Sequence, residues 1–200
     1  MHYYGKKWDD VIFSDEKKFN LDGSNGFRYF WYDIRKEKEI FSKCTFGGGS
    51  VMVWGSFETE GATPIVFVQG RMNSESYVDI LADNLLPETL LITSGDYLLQ
   101  QDNASVHVSR TSKSWFDANF VKLLDWPTRT PDLNPMENLW GILAHEVYKN
   151  GIQYQNKQEL TYSVEKAWIK ISKNVLKELS NSMTSRLIKV IEKKGEIINY

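Results

Sequence analysis

Cysteine is nearly missing from this chain. Cys44 stands alone, which excludes an intramolecular disulfide and suits a reducing compartment. Long apolar runs are missing too. No stretch approaches the roughly 20 apolar residues of a membrane span, and the first ten residues, MHYYGKKWDD, hold no apolar run of the kind a secretory signal needs. Charge of one sign is equally scarce: 24 Lys and Arg stand against 26 Asp and Glu, a net charge of −2. Composition therefore allows a polyanionic partner without arguing for one. Internal repeats and low-complexity segments are lacking as well, which sets aside solenoids and disordered linkers.

Aromatic residues are plentiful, at 14% with seven Trp, within a hydrophobic share of 42%. Two hundred residues of this composition predict one domain with a bulky core. Charge is unevenly placed. Residues 151–200 hold nine basic and five acidic groups, whereas residues 1–150 hold fifteen and twenty-one. An acidic first part suits a carboxylate metal site and a basic tail suits phosphate contact, although a solvated Lys-rich helical surface explains the tail equally well.

The order of elements predicts an α/β chain. Asp10 to Phe19 reads as a buried strand whose far end emerges at a site, Leu21 to Gly26 as a turn, and Phe27 to Tyr32 as a returning strand. Val51 to Phe57 and Pro64 to Gln69 are further strands. A helix capped by Ser74 follows and ends before Pro87. Tyr97 to Gln101 is a short strand that delivers Asp102, Ser109 to Asn119 a helix, and Val121 to Trp126 another strand. A three-proline loop, Pro127 to Pro135, opens a helix. Two amphipathic helices close the chain, one through Leu160, Val164, Trp168 and Ile171, the other through Leu176, Leu179, Met183, Leu187 and Val190. The sheet should be mixed, because hairpin strands pair antiparallel and crossover strands parallel.

Three acids are placed where chemistry happens. Asp15 follows the run Val11-Ile-Phe-Ser14, Asp102 follows Leu98-Leu-Gln-Gln101, and Glu137 lies in the first turn after Pro135. Sites of open α/β sheets form outside the carboxyl ends of strands. Three carboxylates gathered there need a cation, since like charges raise one another's pKa. Mg²⁺ or Mn²⁺ fits all-oxygen donors, and two ions would serve in-line displacement at phosphorus. Blander readings stand beside each. A strand can end in Asp by chance, and Asn134-Pro-Met-Glu137 fits a capping box that accounts for Glu137 without metal. Glu16, which should face away from Asp15, and Asp132 are rival carboxylates.

Motif order narrows the choice. Val11-Ile-Phe-Ser-Asp-Glu-Lys-Lys-Phe19, Gly47-Gly-Gly-Ser-Val-Met-Val-Trp-Gly55, Gln100-Gln-Asp-Asn-Ala104 with His107, Asp125-Trp-Pro127 and Pro131-Asp-Leu-Asn-Pro-Met-Glu-Asn-Leu-Trp140 occur in one order. Together with a closing segment from Ser182 to Tyr200, they resemble the catalytic domain of Tc/mariner-superfamily transposases over roughly residues 8–200. The 34 residues between Asp102 and Glu137 resemble the branch whose third acid is Glu.

The resemblance implies a ribonuclease-H-like mixed sheet flanked by helices. Asp15 would lie on the first strand, Asp102 after the fourth and Glu137 on a later helix, together holding two Mg²⁺ or Mn²⁺ ions. It implies cleavage of DNA at element ends and attack of the freed 3′-hydroxyl on target DNA, at TA sites, in the nucleus. Asn103 and His107 match positions beside the second acid and would orient water, phosphate or a carboxylate, or make only local loop bonds. Trp126 and Trp140 would stack on bases or fill the core. Gly141 and Ala144 leave a small-residue face beside Glu137, and Gly47 to Gly49 either approach a DNA backbone or simply turn. Ser105 replaces a Pro common in the family.

The expected organisation is one catalytic domain over 1–200. A core covers about 8–150 and a helical extension 151–200, without the family's N-terminal helix-turn-helix region. Expected partners are DNA ends and target, with a homodimer or a full-length transposase as protein partner and no membrane. A co-opted binding relic and a nuclease of RNA–DNA hybrids remain as alternatives.

Overall fold

Alternate residues of one central strand face two different helical layers, and this alternation sets the architecture. The computed structural model describes residues 8–23, 49–92, 96–127, 130 and 133–193. Strand β1 (Val11–Asn20) pairs antiparallel with β2 (Ser50–Phe57), from Phe13↔Phe57 to Asn20↔Ser50. On its other side it pairs parallel with β4 (Leu98–Gln100), from Val11↔Leu98 to Phe13↔Gln100. The short β3 (Val66–Val68) joins β2 antiparallel, giving the order β3-β2-β1-β4. Helices α1 (Ser74–Ile80), α2 (Leu86–Ile92), α3 (Arg110–Ala118), α4 (Pro135–Val147), α5 (Lys157–Ile169) and α6 (Lys173–Glu192) complete an α/β, ribonuclease-H-like arrangement.

The larger core lies on one face. Val11, Phe13 and Phe19 of β1 meet Trp140 and Leu143 of α4, Val164 and Trp168 of α5, and Met183 of α6. On the other face Ile12, Trp54 and Leu99 meet Tyr77 of α1 and Phe116 of α3. Each such fully buried side chain contributes about 1.5–3 kcal/mol of burial free energy. The closing helices build this core: Ser180 Oγ of α6 donates to the Trp8 carbonyl at 3.0 Å. Among the described residues no helix is long and apolar enough to cross a membrane.

Strand β1 covers the expected segment, from Val11 to Asn20, and β2 pairs with it through its far end. Several elements differ from expectation for identifiable reasons. The cap of α1 is Asn73, one residue earlier than Ser74, in a reciprocal box with Ser76. The helix also does not stop before Pro87. A π-turn over Leu81–Leu85, with the Leu86 N–H bonded to the Leu81 carbonyl, precedes α2. That widened turn carries the chain past a proline that can neither donate nor tolerate the carbonyl four residues back. Val121 to Trp126 forms a single bridge, Leu99↔Leu123, rather than a strand. A three-residue β4 offers it nothing more to pair with. The strand expected over residues 27–32 lies outside the described residues.

Candidate active site

Parallel pairing of β1 with β4 stops at Phe13↔Gln100, while antiparallel pairing with β2 continues. Strand β4 ends there, and Asp15 and Asp102 each lie two residues beyond the last parallel pair, one on β1 and one on the loop after β4. Glu137 sits in the first turn of α4 and is near enough to Asp15 to act on its charge.

Asp15 faces the larger core. Its Oδ2 accepts a hydrogen bond from Trp140 Nε1 at 3.2 Å. Trp140 is fully buried, stacked on Trp168 at 5.5 Å and edge-on to Phe19. Gly55, the strand partner of Asp15, makes room for both indoles. A Cβ there would come within 3.0 Å of Trp168 and 3.1 Å of Trp140. Burial, followed by the charges of Glu16 and Glu137, pushes the Asp15 carboxyl up to about 7.

Asp102 is held from its own loop. Its Oδ1 lies 2.6 Å from His107 Nδ1 and accepts the Ala104 N–H at 2.8 Å. His107 Nε2 lies 3.2 Å from Glu16 Oε1, so the ring bridges two carboxylates. The imidazole is 3% exposed and rests on the Tyr77 ring at 4.3 Å. Burial alone would lower its pKa, but the hydrogen bonds and charges of Asp102 and Glu16 outweigh burial and raise it to about 10. The same His107 bond holds Asp102 below the usual carboxylate range.

Glu137 does not complete a capping box. Asn134 caps α4 by accepting the Met136 N–H at 3.1 Å, and the Glu137 carboxylate meets Lys17 Nζ at 3.3 Å instead. Glu16 and Asp15, adjacent in sequence, serve opposite faces as strand alternation requires. Asn103 donates to the Trp126 carbonyl at 3.0 Å, a loop bond. Trp140 belongs to the core and Trp126 packs against it. Gly141 is open, with nothing within 4 Å of an added Cβ. Asp132, Gly47 and Gly48 lie outside the described residues.

Among the described residues no three His, Cys, Asp or Glu side chains converge as a metal-binding group. Each of the three acids is turned toward a protein donor. The donor set nevertheless fits a hard divalent ion. All ligating atoms would be carboxylate oxygens, and one carboxyl is raised by burial and then by its acidic neighbours, a conflict that a cation relieves. Asp102 keeps Oδ2 without a partner among the described residues when His107 holds Oδ1. Glu137, 43% exposed, has room to swing away from Lys17. A cavity of about 400 Å³ opens beside Asp102, walled by Asn103, Val108, Lys113, Leu123 and Trp126. A larger one, about 870 Å³, touches Glu16, Lys18, Arg71 and Lys157 but none of the three acids. Of the two, the smaller cavity is the one that touches a member of the three, Asp102.

Reasoning from sequence missed Lys17, Tyr77 and the anchoring roles of Glu16 and Trp140. Trp140 carried a signal, three residues after Glu137 and so on nearly the same helical face. Tyr77 carried none, being brought in by tertiary packing alone.

Comparison with known proteins bears on the family and the fold. The family described as DDE superfamily endonuclease matches residues 10–161. The Tc3 transposase of Caenorhabditis elegans is 47% identical over 196 residues, covering 98% of this chain and 60% of that protein. The Tc1 transposase of the same organism is 35% identical, covering 98% of this chain and 72% of that protein. The Mos1 mariner paired-end complex with Mn superposes with a TM-score of 0.81 at 14% identity, over 96% of this chain and 57% of that one. The chain thus spans about three fifths of the Tc3 and Mos1 proteins. Given the family match over most of its length and the sustained identity to the Tc transposases, the chain belongs to the DDE superfamily endonucleases, as a Tc/mariner-type member.

Proposed function

We propose that this chain is the catalytic domain of a cut-and-paste DNA transposase, cleaving phosphodiester bonds at element ends and joining the freed 3′-hydroxyls to target DNA. The observation that carries the reading is the end of the parallel ladder between β1 and β4. There Asp15 and Asp102 flank the end of the parallel ladder and Glu137 approaches from α4.

Asp15, Asp102 and Glu137 would hold two Mg²⁺ or Mn²⁺ ions; a Mos1 paired-end complex has been solved with Mn. Bound ions supply the charge that stabilises the attacking and leaving oxygens of an in-line displacement at phosphorus. The chain's own residues do the rest. Trp140 fixes the Asp15 carboxylate by its indole N–H, and His107 fixes one oxygen of Asp102 and leaves the other free. Lys17 pairs with Glu137 at 3.3 Å and would be freed to meet phosphate if Glu137 turned to hold a metal. In cleavage, water attacks phosphorus and gives up a proton to solvent, and the 3′-oxygen leaves with the bonding electron pair and takes up a proton to become the 3′-hydroxyl. Joining repeats the displacement with that 3′-hydroxyl as nucleophile on a target phosphorus: it loses its proton to solvent, and the target strand's 3′-oxygen leaves with the bonding pair and takes up a proton. DNA ends and a TA target are the substrates in this reading, a second copy or a full-length transposase is the protein partner, and the nucleus is the place of action.

Calorimetric titration of Mn²⁺ into the purified chain, beside Asp102→Asn, tests the proposal together with strand transfer of pre-cut ends. We expect binding and joining in the wild type and loss of both in the variant. Metal binding without any joining would favour a co-opted binding protein, and indifference of binding to Asp102 would remove the metal site.

A further inference from the structure

The Asp15-Glu16 dipeptide sends two carboxylates to opposite faces of one strand. Asp15 goes to Trp140 on the α4 face, and Glu16 to His107 on the α1–α3 face. A carboxylate on the second face has no evident purpose for a site opened by the first. Yet its contact leads back there: Glu16 Oε1 to His107 Nε2 at 3.2 Å, then His107 Nδ1 to Asp102 Oδ1 at 2.6 Å. We propose that Glu16 is a positioning residue that acts on Asp102 through His107, so that a single strand sets the place of both aspartates.

The parts around the ring leave it little freedom. Tyr77 covers the imidazole at 4.3 Å, and its hydroxyl donates to Gln101 Oε1 at 2.5 Å. The His107 N–H donates to the Ala104 carbonyl at 2.9 Å, while the Ala104 N–H holds Asp102 Oδ1 at 2.8 Å. Rotation about the ring's own bonds is therefore limited, and the remaining freedom is a slide of the 102–107 loop relative to β1. β1 and β4 have no ladder beyond Phe13↔Gln100; past it the Ser14 hydroxyl donates to the Gln100 carbonyl at 2.8 Å, and the Glu16 contact ties β1 to His107 within the loop itself. Outer carboxylate–imidazole partners of this kind orient the inner ligand, and losing one lowers metal affinity roughly 10–100-fold. The inference rests on Asp102 being a metal ligand.

A double-mutant cycle read by Mn²⁺ calorimetry tests it, using Glu16→Ala, His107→Ala and both together. Melting of the metal-free proteins would be followed in parallel, and so would the His107 ring nitrogens by NMR. We expect Glu16→Ala to weaken Mn²⁺ binding roughly 10-fold or more and to change the His107 Nε2 signal without metal. Little further loss is expected when His107 is already alanine, and Glu16→Gln, which can still accept from Nε2, should recover most of the affinity. An equal loss in the His107→Ala background would show that Glu16 acts on the metal directly and would overturn the proposal. Unchanged affinity in Glu16→Ala beside normal wild-type binding would overturn it as well. Failure of the wild type itself to bind Mn²⁺ would instead defeat the metal reading, with the NMR signals still reporting whether Glu16 holds His107.

Discussion

The two faces of the sheet hold their aspartates by different physics. On the α4 face Asp15 sits against packed indoles, and burial with acidic neighbours outweighs its two N–H donors, the Trp140 indole and the Glu16 backbone, so its charge is unfavourable in the metal-free chain. On the α1–α3 face Asp102 is bound to a ring that carries positive charge and is itself shared with Glu16, so its charge is favoured. One carboxylate is positioned by close packing and the other by a polar network. Packing positions accurately but desolvates, whereas the network compensates charge but depends on every member being present.

Breaking the packed side should have the largest effect. Trp140→Ala empties a site next to Trp168 and Phe19 and removes the donor to Asp15. We expect a loss of roughly 3–5 kcal/mol in urea denaturation, with a fall in Mn²⁺ affinity even under conditions where the variant is folded. If the variant is as stable as wild type, Trp140 does not hold this face together.

Next comes the pH dependence, which sharpens the contrast. The Asp15 carboxyl is raised from 3.8 to about 7 in the folded state. The folded chain therefore binds more protons than the unfolded one between these values, and stability falls as pH rises from about 4 to 7. His107, raised from 6.5 to about 10, contributes stability that is fully present below 6.5 and is lost as pH rises toward 10. Asp15→Asn should flatten the lower window and raise metal-free stability above pH 7 by up to about 4 kcal/mol, leaving the upper window in place. Saturating Mn²⁺ should do the same for the wild type. Thermal melts across pH with a chelator present measure both, and an unchanged lower window in Asp15→Asn would remove the assignment.

The smallest change concerns Gly55. An added methyl would press on both indoles at 3.0–3.1 Å, and Gly55→Ala should cost about 1–3 kcal/mol by overpacking. Because Gly55 pairs with Asp15, Mn²⁺ affinity should fall too, while the His107 NMR signals on the other face stay unchanged. Movement of those signals would mean the two faces are not independent.

How much of the site could be read beforehand follows the range of each interaction. Asp15, Asp102 and Glu137 were visible because each stands next to a local pattern: an apolar run, a second apolar run, and an Asn-Pro helix start. The helix from Ser109 to Asn119 was visible from its cap, and Ser109 indeed accepts the Ser112 N–H. The Val121 to Trp126 segment was misjudged because its composition suits a strand, while its pairing depends on the length of β4.

By itself the sequence determined the element order, the alternation that divides Asp15 from Glu16, and the membership of a family over nearly the whole chain. These are properties of neighbours along the chain, and period-two and capping rules are local. The tertiary structure alone decided that His107 bridges Glu16 and Asp102, that Lys17 meets Glu137 across 120 residues, and that Trp140 supports Asp15 across 125. Such pairings depend on where β1, α4 and the loop after β4 come to rest against one another, and no local spacing encodes that.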